Sequence, residues 1–414
     1  MSGNKLYALL GRHLSHSYSS LIHKELGCKE YCHTELEREE LKTFFKKEKI
    51  GGLNVTIPYK KDVIPFLSSL SREAEDIGSV NTITCEDGKL IGHNTDAYGF
   101  EFMVKFAGID VKNKKVIILG SGGAHLAVKY ALKELGAREI VTISRSGEDN
   151  YENIHRHYDA DVLVNATPVG MYPEDEGKIL DLSPFKSCSG VLDLIYNPFR
   201  TNLLLQAEEM KIPYANGLSM LVAQAKRAEE LFFLKSIPDE EILRIMKIIS
   251  RDTRNIVLVG MPGSGKSTVG KALGLLSGKE VVDTDEEIVK TVGLSIPEIF
   301  EKGGEKLFRE YEIQAVKNAC IGSGKIVITG GGAVKREENY APIKRRARVY
   351  HLERDLSILD REGRPLSKGA DLEKMYEERL PLYSRFRDTV IEVTPDATKT
   401  AELIWRDFCE NSCY

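Results

Sequence analysis

Paired cysteines are missing from this chain. Its seven cysteines contain no Cys-x-x-Cys; Cys28 and Cys32, like Cys409 and Cys413, stand four apart, without a second ligand pair to complete a metal site. Reduced thiols in a cytoplasmic protein are the expectation. A surplus of one charge is missing too. The 58 Lys and Arg nearly balance the 62 Asp and Glu, for a formal net charge of -4. That balance gives no electrostatic reason to expect nucleic acid or a membrane as partner. No apolar run approaches a membrane span. The start, Met1-Ser2-Gly3-Asn4-Lys5, leads into only a short apolar stretch before Arg12 and His13, so no signal peptide is read. Low-complexity sequence and Gly/Ser or Pro-rich linkers are absent as well.

What is present fits a soluble globular protein: 414 residues, 42% hydrophobic and 29% charged, enough for two or three domains. Two segments share one pattern, a short aliphatic strand, a Gly-rich turn and an amphipathic helix. The first is Lys115 to Leu119, then Gly120-Ser121-Gly122-Gly123-Ala124, then a helix through Leu135. The second is Asn255 to Val259, then Gly260 to Ser267, then a helix through Leu276. Each reads as the opening βα unit of a parallel nucleotide-binding sheet. Their glycine spacings differ, so they are not an internal repeat. Ahead of the first lie strands at Leu6–Leu10 and Gly52–Thr56 and an amphipathic helix at Glu37–Lys47. Helical patterns run from Gly217 to Ile249, and Asp252-Thr253-Arg254 passes almost directly into the next strand.

The Gly120–Ala124 turn lets backbone approach a pyrophosphate resting on a helix N-terminus. Alone, it also fits an ordinary tight turn. The following strand, Ile140–Ile143, ends in Ser144-Arg145-Ser146, where an NAD site would usually place Asp or Glu. A guanidinium there pairs with a 2′-phosphate, which argues for NADP(H).

Seven further motifs flank this turn in order: Ser17-Tyr18-Ser19, Asn54 to Lys60, Gly78 to Thr82, Gly92 to Asp96, Asn165 to Met171, Asp193 to Pro198, and Asn216 to Gln224. This series resembles shikimate dehydrogenase over roughly residues 5 to 235. The resemblance implies 3-dehydroshikimate and shikimate as small-molecule substrates. Ser17 and Ser19 would hold the carboxylate, and Thr56, Asn81 and Gln224 would read ring hydroxyls. Lys60 would protonate the nascent alkoxide, with Asp96 orienting it. Tyr196 would lie near the substrate, and Ile195, Gly217 and Met220 by the nicotinamide. Some positions depart from the family. His13 and Ser20 stand where Pro is usual. Glu148 and Asp149 follow Arg145 where another basic residue is common, and His125 and Leu126 replace small and basic residues.

Gly260-Met261-Pro262-Gly263-Ser264-Gly265-Lys266-Ser267, followed by Thr268, is a full P-loop in strand–helix context. Backbone N–H groups would cradle ATP, Lys266 would reach its β/γ-phosphates, and Ser267 would ligate Mg²⁺. Asp283-Thr284-Asp285, Phe300 to Arg309 with Glu312, Thr329 to Gly332, Arg364-Pro365-Leu366 and Arg379 to Tyr383 complete the set. Together they resemble shikimate kinase over 253 to 400. On that resemblance Arg309 and Arg379 grip the shikimate carboxylate. Asp285 accepts from the attacking hydroxyl, Asp283 lies near Mg²⁺, and Gly331 lets backbone approach the ring. Arg364 sits in a lid, residues 354 to 367, that closes on ATP.

The fold predicted is α/β throughout. A substrate domain (1–100 and 218–250) encloses a Rossmann NADP domain (101–217), followed by a P-loop NTPase-type kinase domain (253–414). The function predicted is NADPH-dependent reduction of 3-dehydroshikimate, then ATP-dependent phosphorylation of shikimate. Two alternatives stay open: a non-catalytic metabolite-sensing repressor built from such domains, and a dehydrogenase with quinate activity.

Overall fold

The computed structural model describes residues 5–14, 17–359 and 372–413. The chain forms two compact units, Met1–Tyr196 with Gln206–Met246, and Asn197–Leu205 with Lys247–Tyr414.

The first unit holds two sheets. One is built from β1 (Leu6–Gly11), β2 (Cys32–Glu35), β3 (Ile50–Val55), β4 (Ser69–Leu70), β5 (Thr82–Glu86) and β6 (Lys89–His93), in the order β2-β1-β3-β5-β6-β4. β1, β2 and β3 run parallel, and β5 and β6 form a hairpin. The hairpin turns at Asp87-Gly88, both at positive φ (49° and 76°), the backbone that this pair adopts most cheaply. Alternate residues Ala8, Leu10, Leu53, Val55 and Ile83 enter its core. The helix predicted over Glu37–Lys47 is shorter. Glu37 and Glu40 close a capping box around a single 3₁₀ turn, and the α-helix covers Leu41–Lys47, starting at buried Leu41.

The other sheet is fully parallel: β7 (Lys115–Leu119), β8 (Glu139–Ile143), β9 (Val162–Asn165), β10 (Gly190–Asp193) and β11 (Tyr214–Asn216), ordered β11-β10-β9-β7-β8. β7 and β9 are buried along their whole length, as strands covered on both faces must be. The chain reverses direction of travel between β7 and β9, so a crevice opens beyond their carboxyl ends. The helices Asp96–Phe106 and Leu218–Phe233 pack together beside both sheets. They meet closely: a Cβ on Gly99 would lie 2.6 Å from the carbonyl of Met220.

The second unit has one parallel sheet: β12 (Asn255–Val259), β13 (Glu280–Asp283), β14 (Lys325–Ile328), β15 (Ala347–Glu353) and β16 (Thr389–Glu392), ordered β13-β14-β12-β15-β16. β12 is central and wholly buried. The helix Glu240–Thr253 runs into it after Arg254 alone. A helix over Lys266–Ser277 follows β12, and one over Ile296–Ala319 bends at Gly304 (φ 67°, ψ -166°). Asn197–Leu205, a stretch between β10 and β11 in sequence, belongs to this second unit.

Among the described residues, no helix is long and apolar enough to cross a membrane.

Candidate active sites

In the first unit, Lys60 follows β3 through a turn closed by Tyr59 N–H to the Thr56 carbonyl (2.9 Å). Its own carbonyl accepts from Val80 N–H (2.8 Å), which fixes the backbone. The Lys60 Nζ lies 2.5 Å from Asp96 Oδ2, with the lysine side chain 16% and the aspartate 5% exposed. Asp96 opens the helix Asp96–Phe106, and its N–H donates to Asn94 Oδ1 (3.1 Å). The second carboxylate oxygen accepts from Asn81 Nδ2 (2.9 Å), which also reaches Gln224 Oε1 (3.2 Å) and Thr95 Oγ1 (3.1 Å). Asn81 Oδ1 accepts from Thr95 N–H (2.7 Å), so the amide cannot turn over without losing partners. Four residues from four separate motifs, Lys60, Asn81, Asp96 and Gln224, thus form one connected polar cluster. Thr95 and Asn94, which hold the aspartate and the amide, were not singled out in the sequence. Their only signal was membership of the Gly92–Asp96 motif.

Ser17 Oγ and Ser19 Oγ are 2.9 Å apart, and Ser19 N–H donates to Ser17 Oγ (3.1 Å). Tyr18 stacks obliquely on Tyr196 (centroids 5.3 Å apart). Burial, with Tyr18 beside it, pushes the Tyr196 phenol up to about 12, so it stays a neutral donor. Thr56 N–H donates to the Leu10 carbonyl at the end of β1 (2.9 Å).

The crevice beyond β7 and β9 is a cavity of about 510 Å³. Gly120, Ser121, Gly122, Ser144, Arg145 and Lys178 are among the residues lining it. Gly120 has φ +102°, and a Cβ there would stand 2.7 Å from Thr167 Cγ2, so no other residue suits the turn. Gly122 has open space around it, which leaves room for a ligand to approach its backbone. The turn ends at the N-terminus of the helix His125–Glu134. These features fit a dinucleotide pyrophosphate. Lys178 is a second cation at this cavity that the sequence reading missed, because it lies 33 positions beyond Arg145 outside any motif. Asp149, an acid expected to oppose a phosphate, is occupied by His157 Nε2 (2.9 Å). Ile195, Gly217 and Met220, expected by the nicotinamide, are not among the residues lining this cavity. A Cβ on Gly217 would meet the Leu194 carbonyl at 2.0 Å. Ile195 N–H donates to Asp193 Oδ1 (3.0 Å), and Met220 is buried in the helix Leu218–Phe233.

In the second unit, a cavity of about 300 Å³ is lined by Gly263, Lys266, Asp283, Asp285, Arg309 and Arg379 among others. Pro262, Gly265, Ser267, Thr268 and Gly331 also line it, whereas Gly260 and Ser264 do not. Gly260 has φ +151° and a Cβ there would strike the Leu352 carbonyl at 2.6 Å. Lys266 Nζ donates to the carbonyls of Gly260 and Met261 (2.8 and 2.9 Å). Ser267 Oγ donates to Asp283 Oδ2 (2.9 Å). One hydroxyl and one carboxylate suit a hard cation that keeps waters and phosphate oxygens, which fits Mg²⁺.

Asp285 faces this cavity with its Oδ1 buried and unpartnered. Burial, then the carboxylates of Asp283 and Glu312, push its carboxyl up to about 6, against the pull of Lys266 and Arg309. Arg309 is held on both sides, by Glu312 (2.7 Å) and by Glu305 (2.9 and 3.1 Å). A Cβ on Gly332 would lie 2.2 Å from its Nη2, so the glycine makes room for the guanidinium. Arg379 Nη1 and the Tyr383 hydroxyl both donate to the Gly331 carbonyl (3.1 and 2.6 Å). Arg364, with most of the lid predicted around it, lies outside the described residues.

These two sites define the class. A Lys–Asp pair beside a parallel dinucleotide sheet is the arrangement of a pyridine-nucleotide oxidoreductase. A P-loop facing two arginines and a buried acid is that of a small-molecule kinase.

Comparison with known proteins agrees. The family model "Shikimate dehydrogenase substrate binding domain" matches residues 9–83, and "Shikimate kinase" matches 262–408. A shikimate dehydrogenase (NADP(+)) of Caldicellulosiruptor bescii is 35% identical over 253 residues, covering 54% of this chain and 88% of that protein. A chorismate mutase/shikimate 5-dehydrogenase fusion protein from Clostridium acetobutylicum, solved as a crystal structure, is 36% identical. It covers 60% of this chain and 97% of its own, with a TM-score of 0.57. A quinate dehydrogenase from Corynebacterium glutamicum in complex with NAD is 26% identical, covering 58% and 98%, with a TM-score of 0.53. The chain belongs to the shikimate dehydrogenase family and carries a shikimate kinase domain in its C-terminal region.

Proposed function

We propose that this chain reduces 3-dehydroshikimate with NADPH and then phosphorylates the resulting shikimate with ATP. The observation that carries the reading is the pair of complementary acids: Asp96 joined to Lys60, and Asp285 left without a cation partner. The first set can give a proton and the second can take one.

In the dehydrogenase half, the nicotinamide supplies hydride to the carbonyl carbon when bound. Lys60 Nζ gives its proton to the oxygen that becomes the alcohol. Asp96 keeps the ammonium in place and accepts from the neighbouring ring hydroxyl. Asn81 and Gln224 read further hydroxyls, Thr56 assists them, and Ser17 and Ser19 donate to the carboxylate. Tyr196 offers a neutral phenol at the edge. Gly120 to Ala124 would carry the pyrophosphate, with Ser144 and Ser146 beside the ribose. Ile195, Gly217 and Met220 would border the nicotinamide. Arg145 together with Lys178 presents positive charge to a 2′-phosphate.

In the kinase half, ATP with Mg²⁺ supplies the phosphoryl group when bound, and Ser267 and Asp283 would hold the cation. The P-loop amides and Thr268 would line the phosphates, and Lys266 would turn from its two carbonyls to them. Arg309 and Arg379 hold the carboxylate, and Gly331 and Gly332 keep the floor free of side chains. Asp285 accepts the proton of the attacking hydroxyl, which its raised affinity for protons favours. The kinase domain is read as 253–414 together with the stretch 197–205.

The test uses one compound in two assays. Shikimate with NADP⁺ should reduce the cofactor, and shikimate with ATP and Mg²⁺ should release ADP. Quinate in place of shikimate decides the quinate reading. No turnover in either assay, with both ligands bound, would make the protein a sensor instead.

A further inference from the structure

The second unit borrows nine residues, Asn197–Leu205, from the stretch between β10 and β11. They enter its core. Leu205 belongs to the apolar cluster that holds Val257, Val349 and Phe386. Arg200 is the anchor, and its side chain is 3% exposed. Its backbone N–H donates to the Arg345 carbonyl (2.8 Å). Its Nη1 donates to the carbonyls of Lys344 and Ala347 (both 3.0 Å), and its Nη2 to Asp388 Oδ1 (2.6 Å). Beside it, Arg254 lies over the Phe199 ring at 3.8 Å, and Arg345 Nη2 donates to Asn202 Oδ1 (3.1 Å).

Asp388 is where these contacts converge. Its Oδ1 also accepts from Lys344 Nζ (2.8 Å). Its Oδ2 accepts from Val349 N–H, and its own N–H donates to the Val349 carbonyl (both 2.8 Å). It therefore clasps β15, the neighbour of P-loop strand β12, to the turn that ends the helix Leu372–Phe386. That helix carries Arg379 and Tyr383, the two groups that hold the Gly331 carbonyl.

We propose that residues 197–205 are an integral part of the shikimate kinase, and that Arg200 is a positioning residue for it. Arg200 fixes Asp388, Asp388 fixes the end of the helix, and the helix sets Arg379 over the substrate floor. A kinase cut from the chain at residue 252 would lack this anchor. Its Asp388 would keep Lys344 and the Val349 N–H but lose the guanidinium, and the Lys344 and Ala347 carbonyls would lose the Arg200 donor.

The test is Arg200→Met in the full chain. The temperature that halves residual kinase activity should fall by about 10 °C, as removing one partner of a buried ion pair predicts. Below that temperature the KM for shikimate should rise about fivefold while the KM for ATP holds, because Arg379 is displaced and the P-loop is not. Combining Arg200→Met with Asp388→Asn should cost less than the sum of the two single changes. Arg200→Lys keeps the charge but gives up the fork, so its heat stability and shikimate KM should fall between wild type and Met. It also serves if Arg200→Met does not fold. Wild-type heat stability in Arg200→Lys and Arg200→Met, or additive losses in the double variant, would overturn the proposal. An unchanged shikimate KM would overturn the positioning role even if stability falls. The KM arm rests on the kinase reading above; a wild-type chain that phosphorylates no shikimate would sink that reading, whereas the heat-stability arm would still decide the role of 197–205.

Discussion

Asp96 and Asp285 are the same side chain in opposite surroundings. Asp96 shares its oxygens between the Lys60 ammonium and the Asn81 amide, and both are satisfied. Asp285 looks into a cavity between two other acids, and its buried oxygen has no partner. The first arrangement holds in place the lysine that, in the proposed reading, gives a proton. The second leaves a carboxylate that gains from taking one. In the proposed reading environment decides what each carboxylate does: Asp96 steadies the acid, Lys60, while Asp285 is itself the base.

The largest test of this contrast is reciprocal substitution. Lys60→Ala should lower reduction about 10²–10⁴-fold, the usual share of general acid catalysis, and leave phosphorylation intact. Asp285→Asn should do the reverse by a similar factor. Steady-state rates for both half-reactions in both variants check it, and any cross-effect would mean that the sites are not chemically separate.

Next is pH. Asp285 must be ionised to accept a proton, and its carboxyl titrates at about 6. Kinase kcat/KM should therefore rise with pH and level off above that value, falling about tenfold per unit below it. A profile flat down to pH 5 would remove Asp285 as base.

A smaller effect runs through stability. The Asp285 carboxyl is raised above its unfolded value, so the folded state favours the protonated form. That stability is present at low pH and is lost as pH rises through about 6. Asp285→Asn should thus stabilise the kinase unit at pH 7 by about 2 kcal/mol, after allowance for solvent screening, while abolishing its activity. Asp388 is opposite in sign. Although its burial opposes ionisation, Arg200 and Lys344 hold its carboxyl below the usual range, so its contribution persists at neutral pH and fades only in strong acid. Thermal melts at pH 5 and 7 separate the two.

The smallest effect concerns the cofactor. Arg145→Ala and Lys178→Ala should each weaken NADPH binding about tenfold, the loss of a charged hydrogen bond, and leave NADH binding nearly unchanged. Fluorescence titration of the reduced cofactors measures it. Equal losses for both would place these cations elsewhere than at a 2′-phosphate.

Much of this was legible in the sequence because glycine spacing, strand and helix coincide. The Gly120 and Gly260 turns each follow a buried strand and open a helix, and their backbone demands leave few residues permitted. The Lys60, Asn81, Asp96 and Gln224 cluster was legible only through family resemblance, since 164 residues separate its ends. Lys178, far from Arg145 in sequence, had no signal at all. Glu312 was read with the kinase motifs; its pairing with Arg309, like that of Glu305, follows from standing three after and four before it, one helical turn each way. The 37–47 helix was read too long because charge periodicity does not distinguish a 3₁₀ turn from an α-helical one. Arg200 was hidden because nothing local to an Asn-Pro-Phe-Arg stretch says which sheet it will serve.

The central claim is that one chain performs two consecutive reactions. The direct measurement gives the full chain 3-dehydroshikimate, NADPH, ATP and Mg²⁺ together, and follows NADPH oxidation and ADP release in the same cuvette. NADPH should fall first and ADP should follow after a lag. Lys60→Ala should abolish both signals, and added shikimate should restore ADP release alone. ADP release from 3-dehydroshikimate without NADPH, or NADPH oxidation with no ADP at any time, would contradict the account.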